Sequence, residues 1–351
     1  MLSRFLSIIV IIILLSQCLS AQINERYFDN APHKSDKIRI AIFHPSCSTV
    51  KSIIALRKEG LLPRKNSYII GVYHKNESKN YIATKRLLKE QNLFWFKLHR
   101  VDGDLNAKTL FGTNSCSKDF KLIFSKSDGI IFFGGADIPP RIYNEPTSRL
   151  TAIYTPYRSY LEASFVFHLL GGRQNSKIKP FLEKDPGYPI FGICLGAQTL
   201  NVGTGGTMTQ DIWFEKYNKL SFEDVIGLSR QNWHRNPWTR LFPELKLERY
   251  CLHRIKIKPN TIFTKKMGLE KSDNIYVISS HHQAIEKLGK NIQVIATSLD
   301  GKVVEAIIHR NFPNVLGTQF HPDFPVLWNS KLKIGIAPKE KAFSVQSFLK
   351  S

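Results

Sequence analysis

The chain has 351 residues, 42% of them hydrophobic, which is enough to bury a sizeable core and lacks the biases of collagen-like, low-complexity or disordered chains. Its formal net charge of +22 comes from Lys and Arg scattered along the whole length, as at Lys34 to Arg39, Lys118 to Lys126, and Arg254, Lys256 and Lys258. No basic stripe is interleaved with stacking aromatics in a nucleic-acid-binding motif, so no nucleic acid is expected as a partner, and a basic surface suited to anionic envelope lipids or polymers is the better reading.

At the N-terminus, Arg4, the apolar run Phe5 to Leu15 and the small or polar residues Ser16 to Ala21 read as a secretory signal peptide over 1–21. The run falls far short of the roughly 20 residues that span a bilayer, so an uncleaved transmembrane anchor is the weaker reading. Leu15-Ser16-Gln17-Cys18 resembles a bacterial lipoprotein box, with Gln17 bulkier than the usual small residue. Two fates stand open: membrane attachment through a lipidated Cys18, or cleavage after Ser20 or Ala21. Either predicts an exported protein of the bacterial periplasm, the envelope or the medium. The remaining cysteines, Cys47, Cys116, Cys194 and Cys251, are too few for a disulfide scaffold in a domain of this size, so at least one invites another explanation.

Residues 22–36 are polar and contain Pro32, which suits a linker; one domain is expected over 37–351. Lys37 to Phe43 reads as a first strand, Val50 to Lys58 as a helix stopped by Gly60, Tyr68 to Tyr73 as a strand and Tyr81 to Gln91 as a helix. Gly129 to Phe133 is an almost unbroken apolar strand followed by Gly134-Gly135, the pattern of a strand buried on both faces. Arg158 to Leu170 is helical, and Pro189 to Ile193 is another short buried strand. Such alternation predicts an α/β fold with a parallel sheet covered by helices. After residue 250 the runs Cys251 to Ile257, Ile275 to Ser279, Ile292 to Thr297, Val303 to His309 and Val315 to Phe320 predict a meander. Between them, 214–250 has no clear periodicity and reads as a surface insertion.

The strongest local signal is Pro189 to Asn201, a buried strand running through Gly192-x-Cys194-x-Gly196 into a helix. This is a nucleophile elbow: bulk two places either side of the nucleophile would clash in so tight a turn, and the helix N-terminus favours a thiolate and offers the Leu195 N–H to an oxyanion. A second signal is Leu316 to Asp323, where a strand ends at His321-Pro322-Asp323. Residues at i and i+2 share one face of an extended chain, so Asp323 can orient the His321 imidazole as the base for a thiol. Against a zinc site at His281-His282-Gln283, adjacent histidines point in different directions, and no further ligands are spaced to close a tetrahedron. No metal and no cofactor are therefore expected.

Cys194 with Gly192, Gly196 and Gln198, together with Gln319-Phe320-His321-Pro322, resembles the flavodoxin-like class I glutamine amidotransferase fold. Finer features resemble its gamma-glutamyl-gamma-aminobutyrate hydrolase (peptidase C26) family: Gly134 to Tyr143, Arg158 with Glu162, Asn201 through Gly205-Gly206 to Gln210-Asp211, His253, Ser280 to Ala284, and Asp300-Gly301 with Val304 to Ala306. The resemblance implies a mostly parallel sheet with helices on both faces plus C-terminal antiparallel strands. It also implies cysteine-dependent hydrolysis of a gamma-glutamyl amide, in a small molecule or peptide, by Cys194, His321 and Asp323. The oxyanion donors would be Leu195 and Gly135, with Gln198, His282 and Gln283 as substrate contacts. Asp323 departs from the family's glutamate by one methylene, and 211–253 is longer than the resemblance leads one to expect. A catalytically weak or inactive envelope binding protein of the same fold, and a folate-type gamma-glutamyl hydrolase, stand as alternatives.

Overall fold

The computed structural model describes residues 25–33, 35–267 and 274–350. The expected signal peptide and Cys18 lie outside the described residues. The first half alternates strand and helix: β1 (Ile38–Phe43), α1 (Cys47–Lys58), β2 (Ser67–His74), α2 (Tyr81–Glu90), β3 (Phe96–Val101), α3 (Ser117–Lys126), β4 (Gly129–Phe132), α4 (Pro156–Leu170), β5 (Ile190–Ile193) and α5 (Leu195–Gly203). Then come β6 (Met208–Thr209), β7 (Cys251–Ile257), β8 (Tyr276–Ser279), β9 (Ala284–Ile285), β10 (Ile292–Ser298), β11 (Val304–His309) and β12 (Val315–Thr318).

A 10-stranded sheet runs β3-β2-β1-β4-β5-β12-β11-β10-β7-β8. From β3 to β12 every pairing is parallel, and from β12 to β8 every pairing is antiparallel. Along β1, Ala41 and Phe43 face one core while Ile42 faces the other, as do Ile70 and Ile69 of β2. α4 supplies Leu161, Phe165 and Leu169 to the first core, and α1 supplies Val50 and Ile53 to the second, so both faces of the parallel half are covered. This is the α/β architecture that the resemblance implies.

β3 and α3 are not evident in the sequence. β3 is an edge strand, and its mixed run Phe-Lys-Leu-His-Arg-Val carries only a weak period of two. Two expectations are corrected. Over 25–33 the chain is no linker: Tyr27–Asn30 forms a helical turn that buries Phe28 completely, worth roughly 1.5–3 kcal/mol. Arg26 bonds Asp119 and the Arg100 carbonyl. Nor is 214–250 a purely surface insertion, because Val225, Trp233, His234 and Asn236 are buried. Short helices break its periodicity, and the buried residues are single anchors rather than a repeating face.

Candidate active site

Cys194 occupies the turn between β5 and α5 with φ 54° and ψ −106°, a conformation that L residues adopt only where the surroundings enforce it. Its N–H donates to the Thr318 carbonyl of β12 at 2.7 Å. A Cβ on Gly196 would stand 2.2 Å from the Phe132 carbonyl oxygen, and one on Gly192 2.6 Å from the Gly196 backbone; hence the glycines either side of Cys194. The Leu195 N–H opens α5 and has no partner within the helix.

β12 pairs with β5 in parallel, so the segment after Thr318 emerges beside the segment after Ile193. There the His321 Nδ1–H donates to Asp323 Oδ1 at 3.0 Å, and the ring stacks on Phe324 with centroids 4.1 Å apart. The shorter carboxylate therefore reaches the imidazole. Burial alone would push His321 down, but the Cys194 sulfur and the Asp323 carboxylate outweigh it and raise the group to about 10. A Cβ built on Gly134 would lie 2.7 Å from His321 Cε1 and 3.5 Å from Cys194 Cβ, so the Gly134-Gly135 loop covers the pair closely.

That loop is held from below. Buried Arg158 on α4 donates to the carbonyls of Phe133 (2.6 Å) and Gly134 (3.2 Å) and pairs with Glu162 at 2.7 Å. Burial, opposed by Arg158, pushes Glu162 up to about 7. Sequence alone leaves this pair open between substrate contact and helix ion pair; it is an ion pair that fixes the backbone turning Gly135 toward the cleft.

Gln198 lines the cleft, but its amide donates inward to the Gln283 carbonyl and to Gln319 Oε1. Gln319 in turn directs its amide nitrogen at Cys194 Sγ, 3.7 Å away. Gln198 thus positions Gln319, a motif residue to which the resemblance assigns no role. His282 is clamped between two carboxylates, Nδ1 3.1 Å from Asp211 and Nε2 3.1 Å from Asp137. Burial pushes it down, yet Asp137 and Asp211 prevail and lift it to about 9, so the ring is cationic at neutral pH. Gln283 donates to the Gln210 carbonyl, while its Oε1 has no partner among the described residues. Gln210 is a scaffold group, bonded to Ser148, Thr151 and Pro146.

Cys194, Gln198, His282 and Gln283 border a cleft of about 310 Å³ that also receives Arg235, Arg240 and Arg249. A neighbouring chamber of about 310 Å³ shares Arg235, Arg240 and His282 and adds Arg149 and Lys219. Burial, then Arg240 and Arg249, hold the Arg235 guanidinium below its ordinary range against the opposing pull of Asp137 and Asp211, both of which are already bonded to His282. Arg235, Arg240, Arg249 and Lys219 all come from the insertion, where periodicity gives no signal. A larger cavity of about 490 Å³ lies at the opposite ends of β1, β4 and β5, between Ile38, Pro189 and Asn314; its lining is apolar apart from Asp128 and Asn314, and it is separate from the Cys194 cleft.

Cys47, Cys116, Cys194 and Cys251 are all free. Burial pushes the Cys116 thiol up to about 12 and Cys251 higher still, the behaviour of inert buried thiols.

An elbow cysteine, a histidine–carboxylate couple on the adjoining parallel strand and a backbone loop over both define a hydrolase of the class I glutamine amidotransferase-like kind. The peptidase C26 family profile matches residues 109–323, and the chain belongs to that family. It is similar to the glutamine amidotransferase-like protein RP404 of Rickettsia prowazekii (29% identity, covering 56% of this chain and 70% of the relative). It is also similar to protein NtpR of Enterococcus hirae (27%, covering 62% and 75%). The gamma-glutamyl-gamma-aminobutyrate hydrolase PuuD of Escherichia coli is 28% identical, over 59% of this chain and 67% of that enzyme.

Proposed function

We propose that the chain is a cysteine-dependent hydrolase of gamma-glutamyl amides whose acyl group or leaving amine carries additional negative charge. The observation that carries this reading is the positive-φ Cys194 beside the His321–Asp323 couple, opening into a cationic cleft. The Cys194 sulfur adds to the gamma-carbonyl carbon, and the oxygen takes up the displaced electron pair between the Leu195 and Gly135 N–H groups. Loss of one such donor typically costs about 3 kcal/mol in barrier. Collapse breaks the C–N bond as the His321 imidazolium gives its proton to the departing amine. Water then attacks the thioester, with His321 accepting its proton, and the free acid leaves. Gln283 Oε1 is an acceptor for the substrate ammonium, while His282, Arg235, Arg240 and Arg249 attract carboxylates.

A turnover screen over gamma-glutamyl amides, with the amine varied from neutral to dianionic, tests the reading. Anionic amines should give the highest kcat/KM, falling with added salt. No turnover of any gamma-glutamyl amide, with a gamma-glutamyl chloroketone failing to label Cys194, would favour a binding protein of the same fold.

We read the protein as exported, on the strength of Arg4, the apolar run Phe5 to Leu15 and the small or polar stretch to Ala21. Among the described residues no helix is long and apolar enough to cross a membrane. Mass spectrometry of the N-terminus after fractionation separates lipidation at Cys18 from cleavage after Ser20 or Ala21. An unprocessed Met1 in the cytosol would end the export reading.

A further inference from the structure

Behind the catalytic wall lies a second constellation that the proposed reaction does not use. His234 from the insertion, His253 in β7, His281 just past β8 and Glu305 in β11 each turn one donor atom inward, and the four atoms lie within 4.8 Å of one another. All four residues are buried, three of them at 0% exposure and His281 at 4%. His234 Nδ1 is 3.2 Å, and His253 Nε2 3.8 Å, from Glu305 Oε1. The edge of a tetrahedron with metal–ligand bonds of about 2.1 Å is roughly 3.4 Å.

The hydrogen bonding is that of ligands rather than of a self-satisfied network. Neither oxygen of Glu305, neither ring nitrogen of His234 and not Nε2 of His281 has a hydrogen-bond partner among the described residues. The 3.2 Å approach of His234 to Glu305 is close but not aligned as a hydrogen bond. Leaving so many buried polar groups unpaired costs on the order of 1–3 kcal/mol each. The outer contacts fix the tautomers: His281 Nδ1–H donates to the Gln283 carbonyl (2.9 Å) and His253 Nδ1–H to the Arg254 carbonyl (3.3 Å), which leaves each Nε2 with its lone pair. The Ser279 hydroxyl, 2.8 Å from His253 Nε2, is the one group now pointed at such a lone pair among the described residues.

We infer that His234, His253, His281 and Glu305 form a closed structural site for a divalent transition-metal ion, with Zn²⁺ the best match to three imidazoles and one carboxylate. Adjacent His281 and His282 do diverge, as the sequence suggests; the missing ligands arrive from three distant segments instead. His234 adopts φ 54° and is anchored through Asn236, whose side-chain amide donates to the Glu248 and Ile336 carbonyls at 2.7 Å. The ion would therefore staple the insertion that bears Arg235 to the sheet, directly behind the His282 loop.

The test uses the full chain, purified without a metal-affinity tag, and Zn²⁺ itself as probe. Because Cys194 and His321 could also capture zinc, stoichiometry is measured in Cys194→Ala as well as in the unaltered protein. Both should hold one equivalent after dialysis, and Co²⁺ in Cys194→Ala should give the visible bands of a tetrahedral site. His234→Ala and Glu305→Gln should each weaken binding by more than about 100-fold. They should also abolish the rise in melting temperature that Zn²⁺ produces. If His234→Ala does not fold, the isosteric Glu305→Gln decides. A folded Cys194→Ala protein that binds no Zn²⁺, or Glu305→Gln and His234→Ala binding as tightly as the parent, would overturn the site.

Discussion

His321, just past the end of β12, and His253, within β7, each stand beside a carboxylate, yet they are driven in opposite directions. At the cleft, the ring sits between the Cys194 sulfur and the Asp323 side chain, and these outweigh burial and lift His321 to about 10. In the closed pocket behind, burial dominates His253 and lowers it to about 4, because its acidic neighbour, Glu305, is itself pushed up by burial to about 7. A histidine beside a carboxylate is thus no motif by itself. What matters is whether the carboxylate can stay ionised, and that depends on hydrogen bonds and on a second charge. The first arrangement suits proton transfer; the second suits lone-pair donation.

The largest effect expected from breaking the cleft pair is that of Cys194→Ala, which removes the nucleophile and should lower kcat by at least about 10,000-fold with the melting temperature retained. Residual turnover near the parent rate in a rapid-quench assay would sink the assignment. Asp323→Ala comes next, with kcat/KM falling roughly 10- to 10,000-fold, whereas Asp323→Glu should keep activity. The pH profile sharpens this. An imidazolium held to about 10 keeps the parent active through neutrality, with the alkaline limb falling as pH rises through that value. In Asp323→Ala the limb should move to lower pH. The same raised group stabilises the fold fully below its unfolded value of about 6.5, and that contribution fades as pH climbs through the folded value. A stationary limb would show that another group orients His321.

The cleft is legible in the sequence because its information is local. Gly192, Cys194 and Gly196 share one tight turn, His321 and Asp323 one strand end, and the parallel register of β5 and β12 needs only two short apolar runs. The closed pocket is not, because its four donors come from segments far apart in the chain and each looks unremarkable in its own window. Strand-like runs around His281-His282 give half the signal, and the divergence of adjacent side chains holds in the fold. What no spacing rule offers is His234, carried by a segment without periodicity. Phe28 is hidden for a related reason: one buried ring in a polar stretch leaves no pattern. Arg158 and Glu162 are visible as an i,i+4 pair, but only the fold reveals the Phe133 and Gly134 carbonyls above them.

That buried pair gives the third prediction. Arg158→Ala leaves Glu162 without its cation and two carbonyls without a donor, and should cost about 3–5 kcal/mol in a denaturant melt. A loss below about 1 kcal/mol would mean that the Gly134-Gly135 loop holds itself.

The smallest effect concerns the insertion at the cleft mouth. Arg235 is half-buried, its Nε has no partner among the described residues, and its neighbours Arg240 and Arg249 are cationic too. A charge so placed is poorly suited to support the fold, since burial and like charges outweigh the pull of Asp137 and Asp211, but it is well suited to receive an anion that relieves both. Arg235→Ala should therefore leave stability unchanged or slightly higher while raising KM for an anionic gamma-glutamyl amide by roughly 10- to 100-fold, the loss of one charged hydrogen bond. kcat should stay nearly constant, because a contact made equally in the ground state and the transition state changes KM alone. The same substitution should scarcely alter KM for a neutral amide. Equal penalties on both substrates would place Arg235 in the cleft's architecture rather than in its selectivity.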